Sequence, residues 1–230
     1  MIELYFFPSP NAQKVLILLE ESGLDYTITP VDLATGEQFD PAFLAISPNN
    51  KVPAIRDHDA GPPALSLFES GAILEYLADK SGRFLPAAGR ERLLVKQWLY
   101  WQVGGLGPMA GQAHHFRAFA PQRVEYGITR YTDEVNRLYG VLDNQLQDAD
   151  YVAGDYSIAD MAIWPWIVPY ERQGQDLRDF PNIQQWFARV AARPAVQRAG
   201  EFGQERLLAP DEYELLLNQT SKTAQQFNRD

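Results

Sequence analysis

The sequence predicts an α/β domain over residues 1–82 followed by an all-α domain over residues 90–207. Runs with the residue types and alternation of β-strands occur only before residue 69. Beyond residue 90, apolar residues recur at helical spacing instead. A segment with the glycines and proline of a loop separates the two regions and predicts a linker over residues 83–89.

The first domain has the element order of a thioredoxin-like fold. Residues 2–7 and 26–31 are β-rich and flank an amphipathic stretch, which predicts a βαβ unit with parallel strands. A loop rich in glycine and proline joins two later β-runs and predicts an antiparallel hairpin. The predicted sheet is therefore four-stranded and mixed. The remaining elements are helices over 11–22, 41–46 and 70–80 and strands over 53–57 and 64–68.

The second domain is a predicted helical bundle. Its first helical pattern, residues 90–119, contains Pro108, so we expect a kink there. Ser157 and Asp160 form a capping box before an apolar run, which predicts a stable helix start. The tail over residues 208–230 is polar and has no periodic face, and we expect it to be disordered. Further helices are predicted over 122–146, 156–170, 183–192 and 195–200.

Composition limits the classes of function. The 230 residues carry a net charge of −10, which repels phosphate backbones and anionic membrane surfaces, so we expect no nucleic-acid and no membrane partner. The chain has no cysteine, which excludes a disulfide, a thiolate metal site and a protein thiol nucleophile. Any sulfur chemistry must come from a bound ligand. A basic leader and a long apolar stretch are both missing, so we expect a cytoplasmic protein.

Two segments together indicate a site for a small peptide. In residues 49–55 a proline opens a strand, and we expect an exposed strand edge from Val52 that pairs with an extended ligand. The Val52-Pro53 bond is a candidate for a cis peptide. In residues 67–73 a strand turns into a helix near Ser70, whose hydroxyl and free helix N-terminus can take a carboxylate.

With these elements in place, the chain resembles a bacterial glutathione transferase, most closely of the Nu class, whose members act as glutathione-dependent disulfide-bond reductases. The Val-Pro-Ala and Glu-Ser-Gly-Ala-Ile runs are common to glutathione transferases, and the run over 102–109 is more specific to the class. The resemblance covers nearly everything before the tail. It rests on residues 8–11, 47–55, 68–73, 97–108 and 157–160.

The resemblance implies a thioredoxin-like domain that binds glutathione and a helical domain that covers a second, apolar substrate pocket. It also implies a homodimer. Val52, beside Pro53, would pair through its backbone with the cysteinyl part of glutathione or of glutathione disulfide, and Glu69 with Ser70 would hold the γ-glutamyl end. Two side chains would face the remaining polar groups of the tripeptide, and an arginine would reach the site from the other subunit: Gln38, Lys51 and Arg130.

Activation of the glutathione thiol would fall to the start of the first helix. Ser9 and Asn11 supply hydrogen-bond donors there, next to the helix dipole and free backbone N–H groups, and which of the two dominates is open. Tyr5, inside the first strand, is the weaker candidate. Asn11 and Ser70 are also acceptable as simple helix N-caps, and Pro53 as a simple strand start.

The activity has several alternatives. A conventional glutathione conjugase or peroxidase for apolar electrophiles would use the same thiol. A non-enzymatic regulatory module would use the same fold, as in a fungal nitrogen-regulatory protein and a translation elongation-factor subunit. No metal is expected, because the adjacent His114 and His115 diverge on a helix and no third ligand stands at the right spacing.

Overall fold

The structure is a computed structural model and describes residues 1–202. In this part of the chain the strands are β1 (Ile2–Phe6), β2 (Tyr26–Pro30), β3 (Ala54–Asp57) and β4 (Leu65–Phe68). The α-helices are α1 (Pro10–Ser22), α2 (Pro41–Leu44), α3 (Ser70–Ser81), α4 (Gly89–Trp101), α5 (Gly107–His114), α6 (Glu125–Gln145), α7 (Ile158–Ile167), α8 (Pro181–Ala191) and α9 (Pro194–Glu201).

The four strands form one mixed sheet in the order β2-β1-β3-β4. β1 pairs parallel with β2, and β3 pairs antiparallel with both β1 and β4. The predicted thioredoxin-like sheet, its parallel βαβ unit and its hairpin are therefore confirmed, with strand ends shifted by one residue. The one correction concerns β3, which lies inside the sheet rather than at an exposed edge.

The two faces of the sheet bury different residues, because successive side chains of a strand point to opposite faces. Leu4 and Phe6 belong to the large core that also contains α1 and α3. Tyr5 belongs to a second cluster with Phe43 of α2, and their ring centroids are 5.9 Å apart. This alternation places Tyr5 on the face of the sheet away from α1.

Helix α1 connects the sheet to the later helices. Ser9 is its N-cap, Pro10 occupies its first position, and Gly23 closes it with a left-handed φ of 75°. Residues 15–19 are all buried, since α1 packs against α3, α7 and α9 as well as the sheet. The helix is therefore a buried element, and any polar side chain in its middle needs an internal partner.

The long helical pattern over 90–119 is interrupted twice. α4 passes into a π-helical turn at Gln102–Leu106, α5 follows, and a second π-helical turn covers His115–Phe119. Pro108 has no N–H to donate to the preceding turn, so the first π-helical turn lies where a regular helix cannot continue. The sequence predicts a kink near Pro108, and the structure shows a π-helical turn directly before it.

The remaining helices follow the predicted pattern, with ends that differ by one to three residues. The tail over 208–230 lies outside the described residues, and the domain boundaries at 82 and 90 remain predictions. No helix in the part that the structure describes is long and apolar enough to cross a membrane.

Candidate functional site

The start of α1 presents two polar side chains. Ser9 Oγ accepts a hydrogen bond from the Ala12 N–H at 3.3 Å, so Ser9 is the N-cap. Asn11 is the second residue of the helix, which contradicts its interpretation as the cap. No residue of the described chain accepts from the Ser9 hydroxyl or from the Asn11 backbone N–H. Both donors are therefore available to a ligand at this end of α1.

The Asn11 amide is held by a tryptophan from the helical domain. The indole Nε1–H of Trp166 in α7 donates to Asn11 Oδ1 at 2.9 Å. Because an indole N–H can only donate, the oxygen of the amide must face Trp166 and the Nδ2 group must face away from it. The contact thus fixes Asn11 as a donor toward the site, a partnership that the sequence alone did not indicate.

The start of α3 is an uncapped helix N-terminus. Glu69 occupies the cap position with φ 71°, a left-handed conformation that is uncommon for a residue other than glycine, and its side chain makes no cap hydrogen bond. Ser70 is the first residue of the helix, so it is not the N-cap either. Among residues 1–202 the N–H groups of Ser70, Gly71 and Ala72 have no partner. Three free donors and the helix dipole favour an anion here.

The segment before β3 supplies a free stretch of backbone. Val52 is buried at 9% exposure, and a cis bond joins it to the buried Pro53. The ladder with β1 ends at the pair of Tyr5 and Ala54, so Val52 lies beyond the last strand pair. Its backbone N–H and C=O form no hydrogen bond within residues 1–202. The exposed strand edge expected from Val52 is not found, because β3 begins at Ala54, yet the unpaired backbone that it required is present.

Lys14 links these features, and it is not among the site residues predicted from the sequence. Its side chain is 1% exposed, and its ammonium donates to Ser70 Oγ at 3.3 Å and to Gln102 Oε1 at 2.5 Å. Since Asn11 and Lys14 are three residues apart, they share a face of α1. The starts of α1 and α3 are therefore neighbours around one buried lysine.

The first π-helical turn shapes the floor beneath Lys14. Gln102 is fully buried, and its Nε2 has no hydrogen-bond partner among the described residues. A Cβ at Gly107 would lie 2.7 Å from that Nε2, so glycine is needed for the glutamine to fit. A Cβ at Gly104 or Gly105 would meet nothing within 4 Å, so of the three glycines only Gly107 is required by close packing.

The positive charge of Lys14 is only partly balanced by a negative charge at the site. Burial lowers the pKa of Lys14 to about 7, and the negative charge of Glu69 opposes part of that shift. Burial raises the pKa of Tyr5, and a hydrogen bond to Glu3 adds to the rise. Because its hydroxyl is engaged with Glu3, Tyr5 is a poor donor for this site. Lys14 is thus an ammonium poised near half ionisation at neutral pH.

The remaining predicted residues lie in different surroundings. Gln38 is buried in the 3₁₀ turn Glu37–Phe39, whereas Lys51 is exposed and its carbonyl accepts from Ser47 Oγ at 2.8 Å. Arg130 is exposed on α6 and has no hydrogen bond to another predicted site residue in the described part. Over residues 1–202, no group of three or more His, Asp or Glu side chains is arranged to hold a metal ion.

The arrangement can hold an extended peptide with an anion at one end and a polarisable atom at the other. A backbone segment at Val52 offers one N–H and one C=O. The start of α3 favours a carboxylate, and the start of α1 offers Ser9 and Asn11 as donors to a developing negative charge.

Comparison with known proteins places this site in a family. A family model described as Glutathione S-transferase, N-terminal domain matches residues 8–80, and one described as Glutathione S-transferase, C-terminal domain matches residues 107–194. The chain is 53% identical over 213 residues to the Disulfide-bond oxidoreductase YfcG of Escherichia coli (strain K12), covering 90% of this chain and 99% of that protein.

Two solved structures share the fold over most of their length. A glutathione transferase family member from Pseudomonas fluorescens, with two glutathione bound, has a TM-score of 0.81 at 45% identity, covering 86% of this chain and 91% of that chain. A glutathione transferase from Pseudomonas putida, with one glutathione disulfide bound per subunit, has a TM-score of 0.81 at 43% identity, covering 87% and 91%. With both family models and a relative of full length in agreement, the chain belongs to the glutathione transferase family.

Proposed function

We propose that this protein is a glutathione-dependent disulfide-bond reductase of the Nu-class type. The observation that carries the proposal is the fixed amide of Asn11: Trp166 occupies its oxygen and leaves Nδ2 to donate at the start of α1. In a chain without cysteine, these donors serve a sulfur atom brought by the ligand. The names and ligands of the three similar proteins support the same conclusion.

Glutathione fits the site in one direction. Its cysteinyl backbone pairs with the free backbone of Val52, beside Pro53, and its γ-glutamyl carboxylate sits at the start of α3 with Glu69 and Ser70. Its thiol then lies at the start of α1. Two further side chains of the same subunit and one from a partner subunit complete the proposed contacts: Gln38, Lys51 and Arg130.

The required activation of the thiol is modest. A free thiol with a pKa of about 8.5 is only about 3% thiolate at pH 7. Lowering that pKa by about 1.5 units takes about 2 kcal/mol of preferential stabilisation of the thiolate, which one or two charge-assisted hydrogen bonds supply. Donation from Asn11 Nδ2 and from the Ser9 hydroxyl is of this size. Stronger activation would lower the nucleophilicity of the sulfur.

The reaction then proceeds by thiol–disulfide exchange. The thiolate attacks one sulfur of the substrate disulfide, forms a mixed disulfide with glutathione and releases the other sulfur as a thiolate that takes up a proton. A second glutathione thiolate attacks the glutathione sulfur of that mixed disulfide. The products are the second substrate thiol and glutathione disulfide, so two glutathione molecules are oxidised for each disulfide reduced.

Replacing Asn11 tests the mechanism. In an assay of glutathione-dependent disulfide reduction, we expect Asn11→Ala to lower kcat about tenfold or more and to raise the pKa of the bound thiol, followed by thiolate absorbance. The control is Asn136→Ala, which removes an asparagine amide from α6, where it donates to Gln175. Equal rates for Asn11→Ala and the wild type would contradict the proposal. An apolar electrophile in place of the disulfide tests the conjugase alternative.

We also propose that the protein is a homodimer that works in the cytoplasm. Large apolar side chains remain exposed on the edge strand β4 and on α4, where a second copy would cover them. These are Leu65, Phe68, Leu93, Leu94 and Tyr100. Sedimentation velocity should give twice the mass of one chain, and Leu93→Glu should shift the protein toward monomer. Monomeric wild-type protein at micromolar concentration would contradict the dimer. Cytoplasmic glutathione, which is largely reduced, supports the location.

A further inference from the structure

Lys14 carries a buried ammonium that forms no salt bridge with a carboxylate of residues 1–202. Both of its partners, Ser70 Oγ and Gln102 Oε1, are neutral oxygens. An ammonium has three donor hydrogens, so one of them has no partner in the described chain. Glu69 supplies a negative charge that acts on the ammonium but makes no hydrogen bond to it. A buried ammonium whose hydrogen-bond partners are all neutral is unfavourable, which indicates that an anion in contact with it completes this arrangement.

The lysine also sets the direction of the Ser70 hydroxyl. A hydroxyl has one proton and two acceptor positions, and the Lys14 ammonium takes one acceptor position. The Ser70 proton must then point elsewhere, and no acceptor for it is found among residues 1–202. Ser70 lies at the start of α3, beside three unpartnered backbone N–H groups. The hydroxyl, the N–H groups and the ammonium therefore converge on the same small region.

Gln102 holds the lysine in this position. Because an ammonium only donates, the amide oxygen of Gln102 must face Lys14, at 2.5 Å, and its Nε2 must point the other way. Gly107 leaves the space for that Nε2. The first turn of α3 is in contact with the same π-helical turn, since a Cβ at Gly71 would lie 3.1 Å from Val103 Cγ2. The π-helical turn thus positions Lys14 against the start of α3.

We propose that Lys14 is a positioning residue that makes the site selective for a carboxylate at the start of α3. Its ammonium commits the Ser70 hydroxyl to donate to that carboxylate and supplies the positive charge that balances it. The inference rests on the proposed function, in which this anion is the α-carboxylate of the γ-glutamyl group. It extends that function by assigning the selectivity to Lys14, which lies behind the residues that contact the ligand.

The surroundings of Lys14 make the effect dependent on pH. Glu69, the cap residue of α3, is the one ionisable group among the described residues whose charge acts on the ammonium. The π-helical turn contributes the neutral Gln102, and α7 contributes the neutral Trp166. Asp160 of α7 is engaged with its own donors. The arginines of α9 pair with glutamates near the other end of α1: Arg193 with Glu21 and Arg198 with Glu20.

The test compares two ligands that cannot form a thiolate. One is S-methylglutathione, and the other is its analogue with the γ-glutamyl α-carboxylate converted to a carboxamide. Binding to the wild type, Lys14→Met and Lys80→Met is measured by calorimetry at pH 6. Lys80 is the control, a lysine near the end of α3 whose side chain is 27% exposed and pairs with Asp57. We expect the preference of the wild type for the carboxylate ligand to fall about tenfold in Lys14→Met and to stay within twofold in Lys80→Met.

A second measurement needs no variant. With a pKa of about 7, Lys14 is mostly charged at pH 6 and mostly neutral at pH 8. The affinity of the wild type for S-methylglutathione should therefore fall about tenfold between these pH values, whereas its affinity for the carboxamide should not change. An unchanged ligand preference in folded Lys14→Met, or a pH-independent affinity of the wild type, would overturn the inference. Failure of the wild type to bind S-methylglutathione at all would instead contradict the proposed function.

Discussion

Asp160 and Lys14 are both buried ionisable groups, but the protein surrounds them in opposite ways. Asp160 is fully buried and accepts four hydrogen bonds, from the Val152 N–H at 3.0 Å, from Trp186 Nε1 at 2.9 Å and from the N–H and Oγ–H of Ser157 at 3.0 and 3.2 Å. Lys14 donates to two neutral oxygens and keeps one hydrogen unpartnered within the described chain.

The difference separates a structural group from a functional one. The donors around Asp160 come from its own helix start, from the loop before it and from α8, so the carboxylate joins three parts of the helical domain. Lys14 joins three elements as well, yet one of its two partners, Ser70, lies at the proposed site of the ligand carboxylate. A buried group whose hydrogen bonds are all made within the chain is part of the fold, whereas an unsaturated one next to free donors indicates a place for a ligand.

The largest effect should come from removing the saturated group. Asp160→Ala leaves the donors of Val152, Ser157 and Trp186 without partners, so we expect a loss of about 3–5 kcal/mol in the free energy of unfolding. Urea denaturation measures it. The exposed Asp155 provides the control, and Asp155→Ala should change stability by less than about 0.5 kcal/mol. A loss below about 1 kcal/mol for Asp160→Ala would remove the distinction between the two sites.

The pH dependence of stability should differ in sign between the two groups. Lys14 has a pKa of about 7 when folded and about 10.4 when unfolded, so between these values the unfolded chain holds the extra proton. Stability therefore rises with pH there, by up to about 1.4 kcal/mol per pH unit. Burial raises the pKa of Asp160 to about 6, against about 3.9 unfolded, so its contribution falls as pH rises through that window.

Lys14→Met separates these two contributions. Denaturation curves of the variant and the wild type should diverge between pH 7 and pH 10 and run parallel between pH 4 and pH 6. At pH 7 we expect their stabilities to differ by less than about 1.5 kcal/mol, because the lost hydrogen bond to Gln102 offsets the relief of a buried charge. Parallel curves above pH 7 would show that Lys14 titrates like an exposed lysine.

A smaller loss of stability should follow from crowding Gln102, the residue that holds Lys14. In Gly107→Ala the new Cβ would lie 2.7 Å from Gln102 Nε2 and 3.2 Å from the Gln102 carbonyl oxygen, which belongs to the backbone. We expect a loss of about 1–3 kcal/mol in stability and weaker binding of S-methylglutathione. Gly105→Ala, in open space in the same π-helical turn, should do neither. Equal behaviour of the two variants would mean that Gln102 does not position Lys14.

The smallest effect concerns the donor at the start of α1. Trp166→Phe removes the indole N–H that fixes Asn11, so the amide is free to turn and kcat should fall about threefold to tenfold, or about 1 kcal/mol. The Michaelis constant should change little. Trp164→Phe is the matched control, because that indole donates to the Phe187 carbonyl instead. A fall of the same size in both variants would point to a packing effect.

Most of the fold could be predicted because local chemistry and periodicity agree. The capping box at Ser157 and Asp160 is confirmed, with Ser157 Oγ accepting from the Ala159 N–H and Asp160 accepting from the Ser157 N–H. Strand alternation and the Gly-Pro loop located the hairpin. The interior position of β3 could not be predicted from the sequence, because the order of strands in a sheet depends on long-range pairing that no short segment encodes.

The site contacts that were not predicted join residues that lie far apart in the sequence. Trp166 is 155 residues from Asn11, and Gln102 is 88 residues from Lys14. One local signal did exist for the lysine: it directly precedes the apolar run 15–19, in which no position is left for a solvent-facing side. A lysine on a helix that is buried on all sides requires an internal partner.

The bond between Trp166 and Asn11 also gives the protein an intrinsic optical signal. Tryptophan emission responds to the polarity and hydrogen bonding around the indole, and this indole touches the side chain that a bound sulfur atom would contact. Binding of a ligand at the start of α1 should thus change the fluorescence of a native chromophore, without any label. This change should be absent when phenylalanine replaces Trp166.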